Sequence, residues 1–328
     1  MIGQKIGNMF LELGLGNVER PVEPVSGGFL HRMYKVYAGG KAYAVKHLNP
    51  LIMKRPDAIS NYDEAEKLES IIEGAGIPIV PALRLTGRKR QYYEGDFFYI
   101  FDWHDGRMTD WYHITGEQCF IAGNILGRMH ALAPKTGEKD ETEESRIDFG
   151  QYIRNAEASD PDLWSLLSEN EELLPYAERE LNKARKRLPD IVCISDEDMD
   201  PKNVMWENGQ PAVIDLECLK YGNPVSHVLQ LSLQWSGITI CRLDPGLVKA
   251  FFNGYLKAYD NDFRDYPKVF GLAYTWLEWL EYNLGRALSD AVDEKEREMG
   301  KSEARNTVNR IRCLYENEAE IRRVLGSL

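Results

Sequence analysis

Short β-type runs dominate the first third of the chain, and two of them flank the pair Gly39-Gly40. Two adjacent glycines accept the positive φ that a tight hairpin turn requires. Helices are predicted at 2–15 and 61–74, and strands at 33–37, 42–46, 81–85 and 97–101. The order strand, strand, helix, strand, strand predicts a small antiparallel sheet packed on one helix.

In the later part of the chain, the apolar residues recur with the spacing of α-helices. In the first of these segments Ile121, Ile125, Met129 and Leu132 form one stripe. Helical regions are predicted at 118–132, 162–186, 245–259, 266–288 and 301–325, with short β-type runs at 190–195 and 211–216 and an exposed loop at 135–146. We therefore predict an α+β protein with two units: an N-terminal one over 1–103 and a larger, mainly helical one over 104–328.

Charge and cysteine content narrow the function classes. The 328 residues include 40 basic and 52 acidic side chains, a net charge of −12, which repels nucleic acid and is compatible with small neutral or cationic substrates. The five cysteines are scattered and include no Cys-x-x-Cys pair, which disfavours a disulfide scaffold or a cysteine zinc module and favours a reducing cytoplasm. No apolar run is long enough for a membrane span, so we expect no membrane partner.

The most informative chemistry lies in 194–203 and 213–217. Asp198 and Asn203 stand five residues apart in a polar loop, and Asp215 follows a short apolar strand. Metal-dependent phosphoryl transfer needs one carboxylate beside the acceptor hydroxyl, and an amide oxygen and a second carboxylate to hold Mg²⁺. A hairpin of this length would return Asp215 beside Asn203. Asp and Asn also favour turns, so the loop alone is weak evidence for such a site. The loop together with Ile-Asp-x-Glu at this spacing is stronger evidence.

Groups that would bind nucleotide phosphates precede this segment. Ser26-Gly27-Gly28 can form a turn whose backbone N–H groups face phosphates, although most such turns are only turns. Ala44 and Lys46 share one face of a strand, because side chains alternate. The small Ala44 would leave room for a base, and the Lys46 ammonium would reach the phosphates. A solvated strand lysine is the alternative for Lys46.

A buried lysine needs a carboxylate partner to stay oriented. The helix predicted over 61–74 offers Glu64 on the same face as Leu68 and Ile71, whereas Glu66 points about 200° away on an ideal helix. This geometry makes Glu64 the candidate partner of Lys46.

Together these residues resemble the aminoglycoside phosphotransferase and choline kinase-like superfamily, small-molecule relatives of the protein kinases. The resemblance spans most of the chain. Each motif alone has modest specificity, but the order and spacing of the motifs together are strong evidence. It rests on Ser26-Gly27-Gly28, Ala44-Val45-Lys46, Glu64-Ala65-x-x-Leu68, Leu126-Gly127-Arg128-Met129-His130, Asp198-Met199-Asp200-Pro201-Lys202-Asn203, Ile214-Asp215-Leu216-Glu217 and Tyr221-Gly222-Asn223-Pro224.

The resemblance implies a two-lobed protein-kinase-like fold that binds ATP or GTP between its lobes. It assigns Asp198 as the catalytic base and Asn203 and Asp215 as the Mg²⁺ ligands. Lys46, supported by Glu64, would hold the α and β phosphates. The hinge would run from Phe101 to Trp103, with its backbone groups meeting the edge of the base.

The catalytic segment departs from the family pattern at three positions. Asp196 stands where the family usually has His, Asp200 where it commonly has His or Lys, and His227 where it usually has Asp. The loop is therefore unusually acidic, and neighbouring like charges oppose ionisation of its carboxyl groups.

The predicted function is a cytoplasmic, Mg²⁺-dependent phosphotransferase that moves the γ-phosphoryl group of ATP or GTP to a hydroxyl of a small molecule. An aminoglycoside-like, choline-like or sugar-like acceptor, either cationic or neutral, would suit the family. The alternative is a catalytically silent kinase-like protein that binds nucleotide. A protein kinase is disfavoured, because Asn223-Pro224 and an apolar helix follow Asp215 too closely for an activation segment.

Overall fold

The computed structural model describes residues 2–25, 31–140 and 144–328. The chain divides into two compact units. The first consists of Met1–Met108 with Lys202–Lys220, and the second of Thr109–Pro201 with Tyr221–Leu328.

Eleven strands and eleven α-helices are described within these ranges. The strands are β1 (Glu23–Val25), β2 (Arg32–Ala38), β3 (Lys41–His47), β4 (Gln91–Tyr93), β5 (Asp96–Asp102), β6 (Arg107–Met108), β7 (Lys135–Thr136), β8 (Ile191–Asp196), β9 (Val204–Glu207), β10 (Gln210–Val213) and β11 (Leu219–Gly222). The helices are α1 (Ile2–Glu12), α2 (Pro50–Met53), α3 (Ala58–Gly74), α4 (Gly116–His130), α5 (Phe149–Ser159), α6 (Pro161–Ser168), α7 (Leu173–Arg185), α8 (Pro224–Gln234), α9 (Pro245–Ala258), α10 (Trp276–Ala287) and α11 (Glu294–Leu325).

The first unit is built on a five-stranded antiparallel sheet of order β1-β2-β3-β5-β4. The predicted hairpin forms at Gly39 and Gly40, which both have positive φ. The buried side chains Val36, Val45 and Ile100 share one face of the sheet and pack against α1. The opposite face carries Lys46 and packs against α3.

A hairpin from later in the chain completes this unit. Strands β9 and β10 pair with each other, and β6 joins β9 to form a second antiparallel sheet. Val213 binds back to the first part of the unit, since its N–H donates to Pro78 O at 2.9 Å and its carbonyl accepts from Val80 N at 2.8 Å. The division predicted after residue 103 placed both 104–108 and 202–220 in the second unit. Pairing between strands so distant in sequence leaves no local signal.

The second unit is mainly helical, and its helices α4 and α9 cross in close contact. Gly123 and Gly254 lie at the crossing: a Cβ on Gly123 would stand 2.0 Å from Phe251 O, and one on Gly254 would stand 1.9 Å from Phe120 O. The absence of side chains at both positions lets the two helix backbones touch.

We expect Gly123→Ala to lower the free energy of unfolding by about 3 kcal/mol, because the added methyl group meets a backbone carbonyl that cannot rotate away. Gly285→Ala is the matched control. Gly285 lies within α10, and apart from its two chain neighbours and the backbone of its own helix, no atom of the described residues comes within 4 Å of the place that a Cβ would take. This substitution should therefore stabilise by about 0.5–1 kcal/mol through helix propensity. Urea unfolding of both variants measures the two changes, and equal effects would contradict the packing argument.

Several element boundaries differ from the sequence-based ones. The single helix predicted over 162–186 is two helices, α6 and α7, and the preceding α5 was not predicted. The strand predicted over 81–85 is reduced to isolated bridges at Ala82 and Leu85. The helix predicted from residue 266 begins with a 3-10 segment, Tyr266–Thr275. Within the described ranges, no helix combines the length and the apolar character needed to cross a membrane.

Candidate functional site

Lys46 is the centre of the polar site in the first unit. It lies on β3, its side chain is buried, and its Nζ stands 2.7 Å from Asp215 Oδ1 and 2.6 Å from Glu217 Oε1. Asp215 follows β10 with a left-handed φ of 65°, and Glu217 lies in the 3-10 turn Leu216–Cys218. Asp215 and Glu217 are two residues apart in this sharp turn, which brings both carboxylates to one ammonium.

Lys46, Asp215 and Glu217 shift one another's pKa values. Burial alone would lower the pKa of Lys46, but the charges of Glu217 and Asp215 outweigh it and raise that pKa. Burial also opposes ionisation of Asp215, yet hydrogen bonding with Glu217 and the charge of Lys46 hold its pKa below the usual range. Burial raises the pKa of Glu217, and the nearby charge of Asp215 adds to that rise. Lys46 therefore stays charged at neutral pH and Asp215 stays ionised.

Glu64 is not the partner of Lys46, and this prediction needs correction. Its position on α3 is exposed. The face of α3 that packs on the sheet is set by Tyr62, Ala65 and Leu68, which places Glu64 outside it. Ile71, which the prediction placed on the inner face, is exposed as well.

The carboxylates that α3 does turn towards the sheet have other partners. Glu66 accepts a hydrogen bond from Tyr99 Oη at 2.9 Å. Glu69 is buried, accepts from Ala82 N at 2.7 Å and pairs with Lys89 at 3.0 Å. The role expected of Glu64 is thus taken by Glu217, which was predicted only as part of the motif Ile214-Asp215-Leu216-Glu217.

The residues predicted for the base lie on one face of the sheet. Ala44 is directly opposite Phe101 in the β3–β5 pairing, as Lys46 is opposite Tyr99. Trp103 directly follows β5 and extends its pairing with β3, because its N–H donates to Ala42 O at 3.1 Å. Ala44, Lys46 and Phe101 therefore lie together on this face. Ser26, Gly27 and Gly28 lie outside the described residues.

His31 is a further polar residue near Lys46, and it was not predicted as part of the site. Its Nδ1 accepts from Asn49 N at 3.0 Å, so Nε2 carries the proton and donates to Tyr62 Oη at 3.1 Å. Burial, and after it the charge of Lys46, lower the pKa of His31 to about 4. The imidazole is neutral at physiological pH. In the sequence, only the glycines that precede His31 could have indicated that this residue lies near Lys46.

Asn203 and Asp215 meet at the open end of the β9–β10 hairpin. Val204 pairs with Val213, and Asn203 O accepts from Ile214 N at 2.9 Å, which places Asn203 beside the residue before Asp215. The hairpin geometry predicted for these two residues is present. An amide oxygen and a carboxylate are hard oxygen donors of the kind that Mg²⁺ prefers, so this donor set fits the ion.

The loop after β8, in the second unit, carries Asp198. The Asp198 N–H donates to Asp196 Oδ1 at 3.0 Å, and the Asp200 N–H donates to Asp198 O at 2.7 Å. Trp235 Nε1 donates to Met199 O at 2.9 Å. Asp196 is fully buried, whereas Asp198 is partly exposed. The acidic loop thus has a fixed backbone that leaves the Asp198 side chain accessible.

Two histidines support the base of this loop. His227 is buried, and its Nε2 stands 2.9 Å from Glu197 Oε1. His130 is enclosed completely, with Nδ1 2.9 Å from Tyr255 Oη and Nε2 3.1 Å from Ser195 Oγ. Burial holds the pKa of His130 well below its usual value, so this ring is neutral. His227 therefore holds a loop carboxylate from the position where the family usually has Asp.

The comparison of the sequence with known families agrees with this arrangement. The model of the phosphotransferase enzyme family matches residues 21–269, which is more than half of the chain. This chain belongs to that family. As a member, it is a phosphotransferase enzyme, and the predicted relation to small-molecule kinases is confirmed. No curated protein matches the sequence significantly.

Solved structures share the fold across nearly the whole chain. Spectinomycin phosphotransferase APH(9)-Ia, in complex with ADP and spectinomycin, has a TM-score of 0.69 at 14% identity and covers 96% of this chain and 98% of its own. The amicoumacin kinase hAmiN, in complex with AMP-PNP, Ca²⁺ and Ami, has a TM-score of 0.60 at 14% identity and 92% coverage of both chains. An ethanolamine kinase of Plasmodium vivax has a TM-score of 0.56 at 14% identity, with coverages of 87% and 80%. These likenesses confirm the α+β protein-kinase-like fold of the phosphotransferase.

Proposed function

We propose that this phosphotransferase moves the γ-phosphoryl group of ATP or GTP to a hydroxyl of a small molecule, with Mg²⁺ as cofactor. The observation that carries the proposal is the contact of Lys46 with Asp215 and Glu217, at 2.7 and 2.6 Å. A buried lysine beside the carboxylate at the end of the hairpin that carries Asn203 is what phosphate binding and metal binding together require.

On the nucleotide side, Lys46 would donate to phosphate oxygens while Glu217 keeps its ammonium oriented. Asn203 and Asp215 would hold Mg²⁺, which when bound screens the charge of the phosphates. Ala44 leaves space on the sheet face for the base, with Phe101 and the backbone of Trp103 beside it. The glycine turn at Ser26, Gly27 and Gly28 remains our prediction for the phosphate loop.

On the acceptor side, Asp198 would accept the proton of the attacking hydroxyl. Its backbone is held by bonds to Asp196 and Asp200, so the carboxylate enters the reaction already positioned. Catalysis then consists of orientation and charge stabilisation, without a covalent enzyme intermediate. This chemistry suits the cytoplasm, where Mg²⁺-nucleotides are abundant.

The test is release of nucleoside diphosphate by the purified chain with Mg²⁺ and either ATP or GTP. The acceptors to compare are an aminoglycoside, choline, ethanolamine and a set of sugars. We expect at least one acceptor to increase the release and to become phosphorylated. Nucleotide binding without turnover on any acceptor would instead favour the catalytically silent alternative, and phosphorylation of a generic protein would favour a protein kinase.

A further inference from the structure

Arg310, on α11, has no counterion among the described residues. It is half-buried, and in those ranges no acceptor lies within hydrogen-bond or ion-pair distance of its guanidinium. Its Nε is completely enclosed and unbonded. The guanidinium lies over the ring of Trp276, 4.6 Å from the ring centre. Most other arginines near this helix are paired, as Arg322 is with Glu318.

This arrangement is costly unless something else binds the arginine. A buried donor without an acceptor is destabilising, and stacking on an aromatic ring offsets only part of that loss. Burial lowers the pKa of Arg310, and the charges of Glu303 and Asp200 only partly offset that effect. A guanidinium stacked through its face still presents the N–H groups of its edge, which can donate to oxygen atoms of a ligand.

The surroundings of Arg310 form a strip along α10 and α11. Trp279 lies one turn after Trp276 on α10, and its Nε1 donates to Glu303 at 3.2 Å. Tyr282 stacks on Trp279 with ring centres 5.4 Å apart, and it is 54% exposed. We call these five residues, Trp276, Trp279, Tyr282, Glu303 and Arg310, the α10–α11 strip.

The strip begins close to the catalytic loop. Trp235 Nε1 donates to Met199 O in that loop at 2.9 Å, and six residues further along the chain Cys241 Sγ donates to the carbonyl oxygen of Asn309, the residue before Arg310, at 3.8 Å. The charge of Asp200, two residues after Asp198, also acts on Arg310. Both the loop and the strip belong to the second unit. An acceptor whose hydroxyl reaches Asp198 could therefore extend along the strip.

We propose that the α10–α11 strip binds the acceptor molecule and that Arg310 donates hydrogen bonds to an oxygen atom of it. The inference rests on the proposed function and names its substrate class: a molecule rich in oxygen, either a polyol or a hydroxy acid. One hydroxyl group of such a molecule can accept from Arg310 and another can donate to Glu303, and the aromatic rings can cover the apolar side of a sugar-like ring. The guanidinium would repel the ammonium group of an amino alcohol.

Calorimetric titration in the presence of Mg²⁺ and AMP-PNP tests this proposal without requiring turnover. The probes are myo-inositol and D-ribose as polyols, D-glycerate as a hydroxy acid, and ethanolamine and choline as amino alcohols. We expect an oxygen-rich probe to bind the wild-type chain. Arg310→Gln should weaken that binding about 10- to 100-fold, since a hydrogen bond from a charged group is lost. Arg310→Lys should restore part of it.

Arg305→Gln is the matched control, because Arg305 lies on the same helix and is exposed. The Arg305→Gln variant should bind the oxygen-rich probe with the affinity of the wild type. The proposal is overturned if only amino alcohols bind, if no oxygen-rich probe binds, or if Arg310→Gln lowers the free energy of unfolding but leaves probe affinity unchanged. Arg310-dependent binding without any diphosphate release would sustain the strip and reject the proposed function, so the two failures are distinguishable.

Discussion

Asp198→Asn is expected to lower kcat by about 10²- to 10⁴-fold, the range typical for loss of a general base. Asparagine has nearly the same shape, and the backbone bonds of Asp198 to Asp196 and Asp200 need no carboxylate from it. The loop should therefore persist, while the group that we propose as the acceptor of the hydroxyl proton is gone. Diphosphate release at saturating acceptor measures the effect, and the dissociation constant of Mg²⁺-nucleotide should change little.

Asp190→Asn provides the control for this loss. Asp190 is exposed and precedes β8, the strand whose other end leads to Asp198. The same chemical change there should leave kcat within about two-fold of the wild type, as is usual for an exposed surface position. A decrease of less than ten-fold for a well-folded Asp198→Asn variant would show that Asp198 is not the base.

Lys46→Met is expected to reduce both stability and nucleotide binding. The substitution leaves Asp215 and Glu217 without their cation, and removal of one partner from a buried pair costs about 3 kcal/mol or more. It also removes the ammonium that would hold the phosphates. Urea unfolding gives the change in stability, and titration with AMP-PNP and Mg²⁺ gives the change in affinity.

Two variants separate this effect from less specific ones. Lys41→Met changes an exposed lysine on the same strand and should leave both quantities near their wild-type values. Glu64→Gln should also have little effect, because Glu64 is exposed and Lys46 has other partners. Loss of nucleotide binding in Glu64→Gln would contradict the assignment of Glu217 as the carboxylate that orients Lys46.

The parts of the site that depend on local spacing could be predicted from the sequence. Asn203 and Asp215 are separated by one hairpin, and the alternation of β9 and β10 fixes their positions at its open end. Ala44 and Lys46 share a strand, so their common face follows from the pleat alone. In each case the residues that matter are neighbours within one element.

Other parts depend on packing between distant segments. Lys46 and Glu217 are 171 positions apart, so no local pattern could pair them. The orientation of α3 follows from contacts such as that of Tyr62 with Tyr99, and these contacts turn Glu64 outwards. Arg310 was equally hidden, because α11 is rich in charged residues and only its approach to Trp276 distinguishes this arginine.

Thermal unfolding with ATP or GTP, in the presence and absence of Mg²⁺, tests most directly whether this chain is a metal-dependent nucleotide enzyme. At about a hundred times its dissociation constant, a nucleotide should raise the free energy of unfolding by about 2.7 kcal/mol. We predict this shift for the wild type with Mg²⁺ and its loss in Asp215→Ala. No shift with either nucleotide, or an equal shift in Asp215→Ala, would contradict the account.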